Sequence, residues 1–108
     1  MMRGNLVTVA AQGDFGKPRP ALVIQSDRFG ETVSLMVLPL TSELVEAPLL
    51  RVNVEPNPEN GLKRRSQVMV DKPFTLKRSR VGSRIGQVDA TKLLEVERCL
   101  AVFLGIAR

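Results

Sequence analysis

The feature that most constrains this chain is a change of period at Asp89. Before it, every apolar run is short and is cut by proline, glycine or a polar turn cluster. After it, Leu93, Val96, Leu100, Phe103 and Leu104 recur at helical spacing, with Lys92, Glu95 and Arg98 on the remaining surface. Asp89 is placed to cap that helix and Gly105 to stop it. The pattern predicts a mainly β domain closed by one C-terminal helix, which plugs an open end or face of the sheet.

Asn5 to Ala10 has the length and β-branched content of a first strand, and Gln12-Gly13-Asp14 with Gly16 supplies turn chemistry before the second, Ala21 to Gln25. Val33 to Leu38 begins as alternation and becomes apolar on both faces, as a central strand does, until Pro39 interrupts it at an edge or bulge. Leu50 to Glu55 alternates strictly and predicts a strand with one wet face. Asn60-Gly61 reads as a tight turn, Gln67 to Asp71 as a strand stopped by Pro73, and Arg84 to Val88 as a short last strand. A length of 108 residues, 44% hydrophobic and 25% charged, suits one domain spanning residues 1–108, with no internal repeat and no linker.

The missing residue types exclude several chemistries. With no histidine there is no Ser-His-Asp triad, no paired-histidine ribonuclease site and no zinc deaminase signature. The acids are scattered rather than clustered as a metal nuclease requires, so neither metal nor cofactor is expected. With no Tyr or Trp and four Phe, base-stacking platforms are poorly supplied. The lone Cys99 fits a reducing compartment and reads as a small apolar filler of the helix. The N-terminal apolar run is too short for a signal peptide and no stretch would span a membrane, which together predict a cytoplasmic protein.

The net charge is +5, and half of the 16 basic residues (Lys63, Arg64, Arg65, Lys72, Lys77, Arg78, Arg80, Arg84) fall in one segment whose only acid is Asp71. Such a segment either faces a polyanion or is solvated loop charge. Arg19, between Pro18 and Pro20, leaves a stiff extended stem at the start of the second strand. It is either a solvated residue of that turn or a fixed cation with a task. Thr41 ends the third strand, as a turn-capping hydroxyl or as a donor. Asp71 is either a charge partner for Lys72 or Arg84 or a proton-transfer group. Together, Arg, Thr, Ser, Asp and Lys suit metal-free RNA cleavage, in which the ribose 2′-hydroxyl attacks the adjacent phosphorus. A guanidinium and a hydroxyl would meet the charge gathering on the non-bridging oxygens, with Asp71 as the available carboxylate.

Several ordered blocks resemble the MazF/PemK/Kid toxins of type II toxin–antitoxin systems. They are Met2-Arg3-Gly4, Lys17-Pro18-Arg19-Pro20-Ala21-Leu22-Val23-Ile24-Gln25-Ser26-Asp27, Val37-Leu38-Pro39-Leu40-Thr41-Ser42, Asn60-Gly61-Leu62, Val68-Met69-Val70-Asp71-Lys72-Pro73 and the C-terminal helix. The resemblance implies a CcdB/Kid/MazF-type, SH3-like antiparallel β-barrel that forms a homodimer. It also implies sequence-selective cleavage of single-stranded mRNA to a 2′,3′-cyclic phosphate, and neutralisation by a cognate antitoxin with an acidic tail. On that pattern Arg19 and Thr41 fall on the catalytic arginine and threonine, and Asp71 falls on the general base proposed in the Kid branch. Lys17, Ser42, Gln67 and Lys72 are carried over as substrate contacts. Asn5, Thr8 and a short first loop depart from the family pattern, and Met69 stands where Kid has a second arginine. Two alternatives share the fold: a CcdB-like gyrase inhibitor, whose tail Gly105-Ile106 echoes without its tryptophan, and an inactive member that only binds RNA or antitoxin.

Overall fold

The computed structural model describes residues 1–10 and 17–107, so the turn expected at Gln12 to Gly16 lies outside the described residues. Seven strands precede one helix: β1 (Asn5–Ala10), β2 (Pro18–Val23), β3 (Ser34–Thr41), β4 (Arg51–Val54), β5 (Ser66–Met69), β6 (Phe74–Lys77), β7 (Val81–Gln87) and α1 (Ala90–Phe103). Neighbouring strands run in the order β4-β5-β3-β2-β1-β7, all antiparallel, while β6 pairs with β3 off that path. β6 was not expected from the sequence: it is four residues long and sits between Pro73 and a basic run. Its alternation is genuine, since Phe74 and Leu76 pack inward while Thr75 and Lys77 are exposed.

β3 is the strand that bends the sheet. Its first half, Ser34 to Val37, pairs with β6, and its last two residues, Leu40 and Thr41, pair with β5. Pro39 therefore does not end the strand as expected. The Ile24 N–H donates to the Met36 carbonyl, so even-numbered residues of β3 turn their backbone groups toward β2 and odd-numbered ones turn away. Pro39 thus presents its missing N–H to the gap between β6 and β5, where no ladder bond is lost.

Both faces of β1, β2 and β3 are covered, which explains the apolar character of β3 on both sides. Leu6, Leu22, Leu38 and Leu40 join Val52, Val54, Val68 and Val96 in an inner core, while Val7, Val9, Ala21, Val23, Leu35 and Val37 form a second cluster under Phe74, Leu76 and Val81. The outer strands β4 and β7 are not paired with each other, so the barrel is open along one seam. The Gln87 N–H, donating to the Glu59 carbonyl at 2.9 Å, bridges that seam.

α1 starts where expected, with the Asp89 carboxylate accepting from the Lys92 N–H at 2.7 Å. Val96 is buried, and Leu93, Cys99 and Leu100 pack half-buried on the inner core. Phe103 and Leu104, expected on the same buried face, are 46% and 54% exposed; the end of the helix runs past the core that Leu93, Val96 and Leu100 meet. Arg3 anchors the helix from the other end of the chain. Its guanidinium donates to Glu97 at 2.8 and 3.0 Å and also to the Ile24 carbonyl.

Candidate active site

The two prolines around Arg19 shape an open edge. β2 pairs with β1 along its whole length, with Arg19 opposite Val9, but it pairs with β3 only from Ala21 onward. By the alternation set at Ile24, Pro18 and Pro20 point their absent N–H groups toward the side that β3 has already left. Arg19 keeps its backbone directed at β1. The Pro-Arg-Pro run thus costs the ladder nothing and holds an exposed arginine on a strand backed by β1.

A cavity of about 530 Å³ opens along this edge. Lys17, Pro18, Arg19 and Pro20 form one wall, Leu40, Thr41 and Ser42 the next, and Gly61, Leu62, Lys63 and Arg64 a third, with Thr8, Ser66 and Ile85 completing it. Four cations, and no carboxylate among the described residues, line it. The Thr41 Oγ1 accepts from the Glu43 N–H at 3.0 Å, which occupies a lone pair and leaves the hydroxyl proton to donate elsewhere.

The third wall is rigid for a reason that the Asn-Gly turn signal understates. Asn60 is buried at 2% exposure. Its Oδ1 accepts from the Asn57 and Leu62 N–H groups at 3.1 and 3.0 Å, and its Nδ2 donates to the Glu55 carbonyl at 2.7 Å. The Asn57 Oδ1 in turn accepts from the Asn60 N–H at 2.8 Å. Gly61 follows with φ +67°, so close to β7 that a Cβ would lie 2.1 Å from the Ile85 carbonyl oxygen. Sequence reading missed Asn60 as an organiser of this wall; the Asn57/Asn60 spacing was the available signal.

Gln67 lies opposite Thr41 on β3 and opposite Asn53 on β4. It was expected to contact substrate, but its side chain is 5% exposed and committed elsewhere. Oε1 accepts from the Val45 N–H at 3.1 Å, while Nε2 donates to the Val45 carbonyl and to the Asn53 Oδ1, both at 2.9 Å. Gln67 lines a neighbouring cavity of about 340 Å³ beneath Leu44 to Pro48, not the one that holds Arg19.

Comparison with known proteins decides the family. A family model described as PemK-like, MazF-like toxin of type II toxin–antitoxin system matches residues 2–104. The chain belongs to this MazF-like toxin family. It is 47% identical over 108 residues, 99% of each chain, to a protein named probable endoribonuclease MazF from Mycolicibacterium smegmatis. A solved endoribonuclease in complex with its cognate antitoxin, from a mycobacterial species, superposes with a TM-score of 0.82 over 100% of this chain and 98% of its own, at 22% identity. A MazE–MazF complex from Deinococcus radiodurans gives 0.81 at 27% identity, covering 99% and 97%. The expected MazF-type barrel architecture is therefore the observed one.

In this MazF-like toxin four of the seven expected site residues, Lys17, Arg19, Thr41 and Ser42, line one cavity. Gln67, Asp71 and Lys72 do not. Val70 and Asp71 form the turn between β5 and β6, with Lys72 just after it; among the described residues the Asp71 Oδ1 is buried without a hydrogen-bond partner, while Arg84 donates to Gln87 at 3.1 Å. The basic segment divides by role. Lys63 and Arg64 face the cavity, Arg65 pairs with Glu55, and Arg78 donates to the Phe29 and Thr32 carbonyls, stapling the β2–β3 connection. The Cys99 thiol is held above its usual pKa by burial and then by the nearby Glu95 charge, which suits a filler rather than a nucleophile. Gly105 and Ile106, the pair that echoes the CcdB tail, end α1: the Gly105 N–H bonds to Val102 and the Ile106 N–H to Ala101, a Schellman stop with φ +77° at the glycine.

Proposed function

We propose that this MazF-like toxin is a metal-independent endoribonuclease acting on single-stranded mRNA, with Arg19 and Thr41 as its catalytic donors. The observation that carries the reading is that these two side chains, from different strands, line one cavity free of carboxylates among the described residues. A scissile phosphate seated there would be attacked by its own 2′-oxygen. The P–O2′ bond forms, the P–O5′ bond breaks, the 2′-proton passes to a base and the departing 5′-oxygen takes a proton. The products are a 2′,3′-cyclic phosphate and a 5′-hydroxyl. Arg19 neutralises the non-bridging oxygens and the Thr41 hydroxyl adds a donor, with Lys17 and Ser42 on the flanking backbone.

Asp71 is the carboxylate proposed as base, and it takes that part only where the RNA passes the β5–β6 turn. The same cationic cavity suits the acidic tail of a cognate antitoxin, which would compete with RNA for it. The exposed apolar residues at the end of α1, Phe103, Leu104 and Ile106, are consistent with a homodimer. A cytoplasmic location fits the single unpaired cysteine.

The test is cleavage of a long single-stranded RNA in EDTA, with mapping of the ends. Wild type is expected to cut and leave cyclic phosphates, and Arg19→Ala to lose at least about 100-fold in rate with an unchanged melting temperature. Full activity in that variant would remove Arg19 from the mechanism. Asp71→Asn should slow cutting, whereas an unchanged cleavage rate would release Asp71 from the base role.

A further inference from the structure

Gln67 is a buried amide with every strong hydrogen-bonding group spent, and its partners all belong to the frame around Thr41. Thr41, Gln67 and Asn53 stand opposite one another on three adjacent strands, in one row across β3, β5 and β4. From the middle of that row Gln67 grips Val45 by both its N–H and its carbonyl, a bidentate hold on a single residue of the loop that follows Thr41. These partners also fix the amide's orientation, because a flipped amide would set N–H against N–H and oxygen against carbonyl. The remaining Nε2 proton goes to the Asn53 Oδ1 at 2.9 Å, which stops the side chain from swinging out of the row.

The loop held this way decides what Thr41 can do. Two residues before Val45, the Glu43 N–H donates to the Thr41 Oγ1 at 3.0 Å. That bond sets which lone pair is filled and so where the hydroxyl proton points. Leu44, Val45 and Glu46 are all exposed, so little packing holds them in place.

We propose that Gln67, steadied by Asn53, is a positioning residue that fixes the 42–45 loop and thereby aims the Thr41 hydroxyl into the cavity. This rests on the reading of Thr41 as a donor to the reacting phosphate; the tie between Gln67 and the loop does not.

The experiment uses the full chain and has two arms. In the first, amide hydrogen exchange is followed without RNA in wild type, in Gln67→Met, which keeps the volume and loses the bonds, and in Asn53→Ala. The Glu43 and Val45 amides are expected to exchange at least about tenfold faster in both variants, while the β1–β2 ladder is unchanged. Unchanged protection at Glu43 and Val45 overturns the proposal. In the second, RNA cleavage should lose kcat by about tenfold to a hundredfold at constant KM and constant cleavage preference. Asn53→Asp, which keeps an acceptor oxygen for Nε2, should recover most of the loss. A raised KM or an altered cleavage preference with normal exchange would make Gln67 a substrate contact and overturn the proposal. Because Asn53 is exposed, its variants report even where Gln67→Met fails to fold. A wild-type protein that cuts no RNA would sink the ribonuclease reading, and the exchange arm would still decide the loop.

Discussion

Thr41 shows how one side chain takes meaning from its neighbours. The hydroxyl accepts from the Glu43 N–H and retains its proton, so what it can offer to the cavity is a donor. Thr41→Val keeps the shape and removes that donor, and is expected to lower kcat by ~10²- to 10³-fold, the usual loss for a donor aimed at developing charge. Thr41→Ser should restore most of the rate in a single-turnover assay; a full rate in Thr41→Val with loss in Thr41→Ser would show that the methyl, not the hydroxyl, matters. Cys99 illustrates the opposite case. Burial first and the Glu95 charge second disfavour its thiolate, so the thiol stays protonated at neutral pH. Its alkylation by iodoacetamide should rise with pH along a curve displaced to higher pH than that of a free cysteine. A displacement toward lower pH would contradict that environment.

Among the elements, the loop from Asn57 to Leu62 carries the cavity's third wall and depends on backbone that only glycine tolerates. Gly61 combines φ +67° with an approach of 2.1 Å between a would-be Cβ and the Ile85 carbonyl. Gly61→Ala therefore adds conformational strain and forces the loop off β7, for a loss of about 2 kcal/mol or more and a melting temperature lower by roughly 10 °C. An unchanged melting curve would mean the loop can detach without cost. The same scale explains β2. Pro18 and Pro20 sit in a strand because their missing donors face a side with no partner, and that unpartnered side is where the cavity opens. The prolines that look like a strand's beginning in the sequence are thus part of the strand, and the stiffness they confer on Arg19 is reinforced by pairing to β1.

For the whole molecule the net charge of +5 is less informative than its sorting. Arg65 pairs with Glu55 and Arg78 with the Phe29 carbonyl, and Lys17, Arg19, Lys63 and Arg64 converge on one cavity from separate parts of the chain. With those four cations on a single-stranded backbone, log Kd for a non-cleavable RNA should rise with log salt at a slope of about 3. A slope near zero would mean that the cavity does not hold the phosphate chain.

Local rules were enough to place six of the seven described strands and the helix, the Asp89 cap, the Gly105 stop and the β3 strand buried on both faces, because each depends on side chains a few residues apart. The ordered motifs were likewise enough to point to the family, and two residues they singled out, Arg19 and Thr41, line one cavity. What depended on register across strands was decided only by tertiary structure. β6 exists because β3 has a free flank, Pro39 passes through β3 because its missing donor meets a gap, and the Gln67 amide is bonded to Val45 and Asn53 because the strand register brings them together. A hydrogen bond between residues 22 positions apart leaves no periodic trace in a sequence, and that is the distance from Gln67 to Val45.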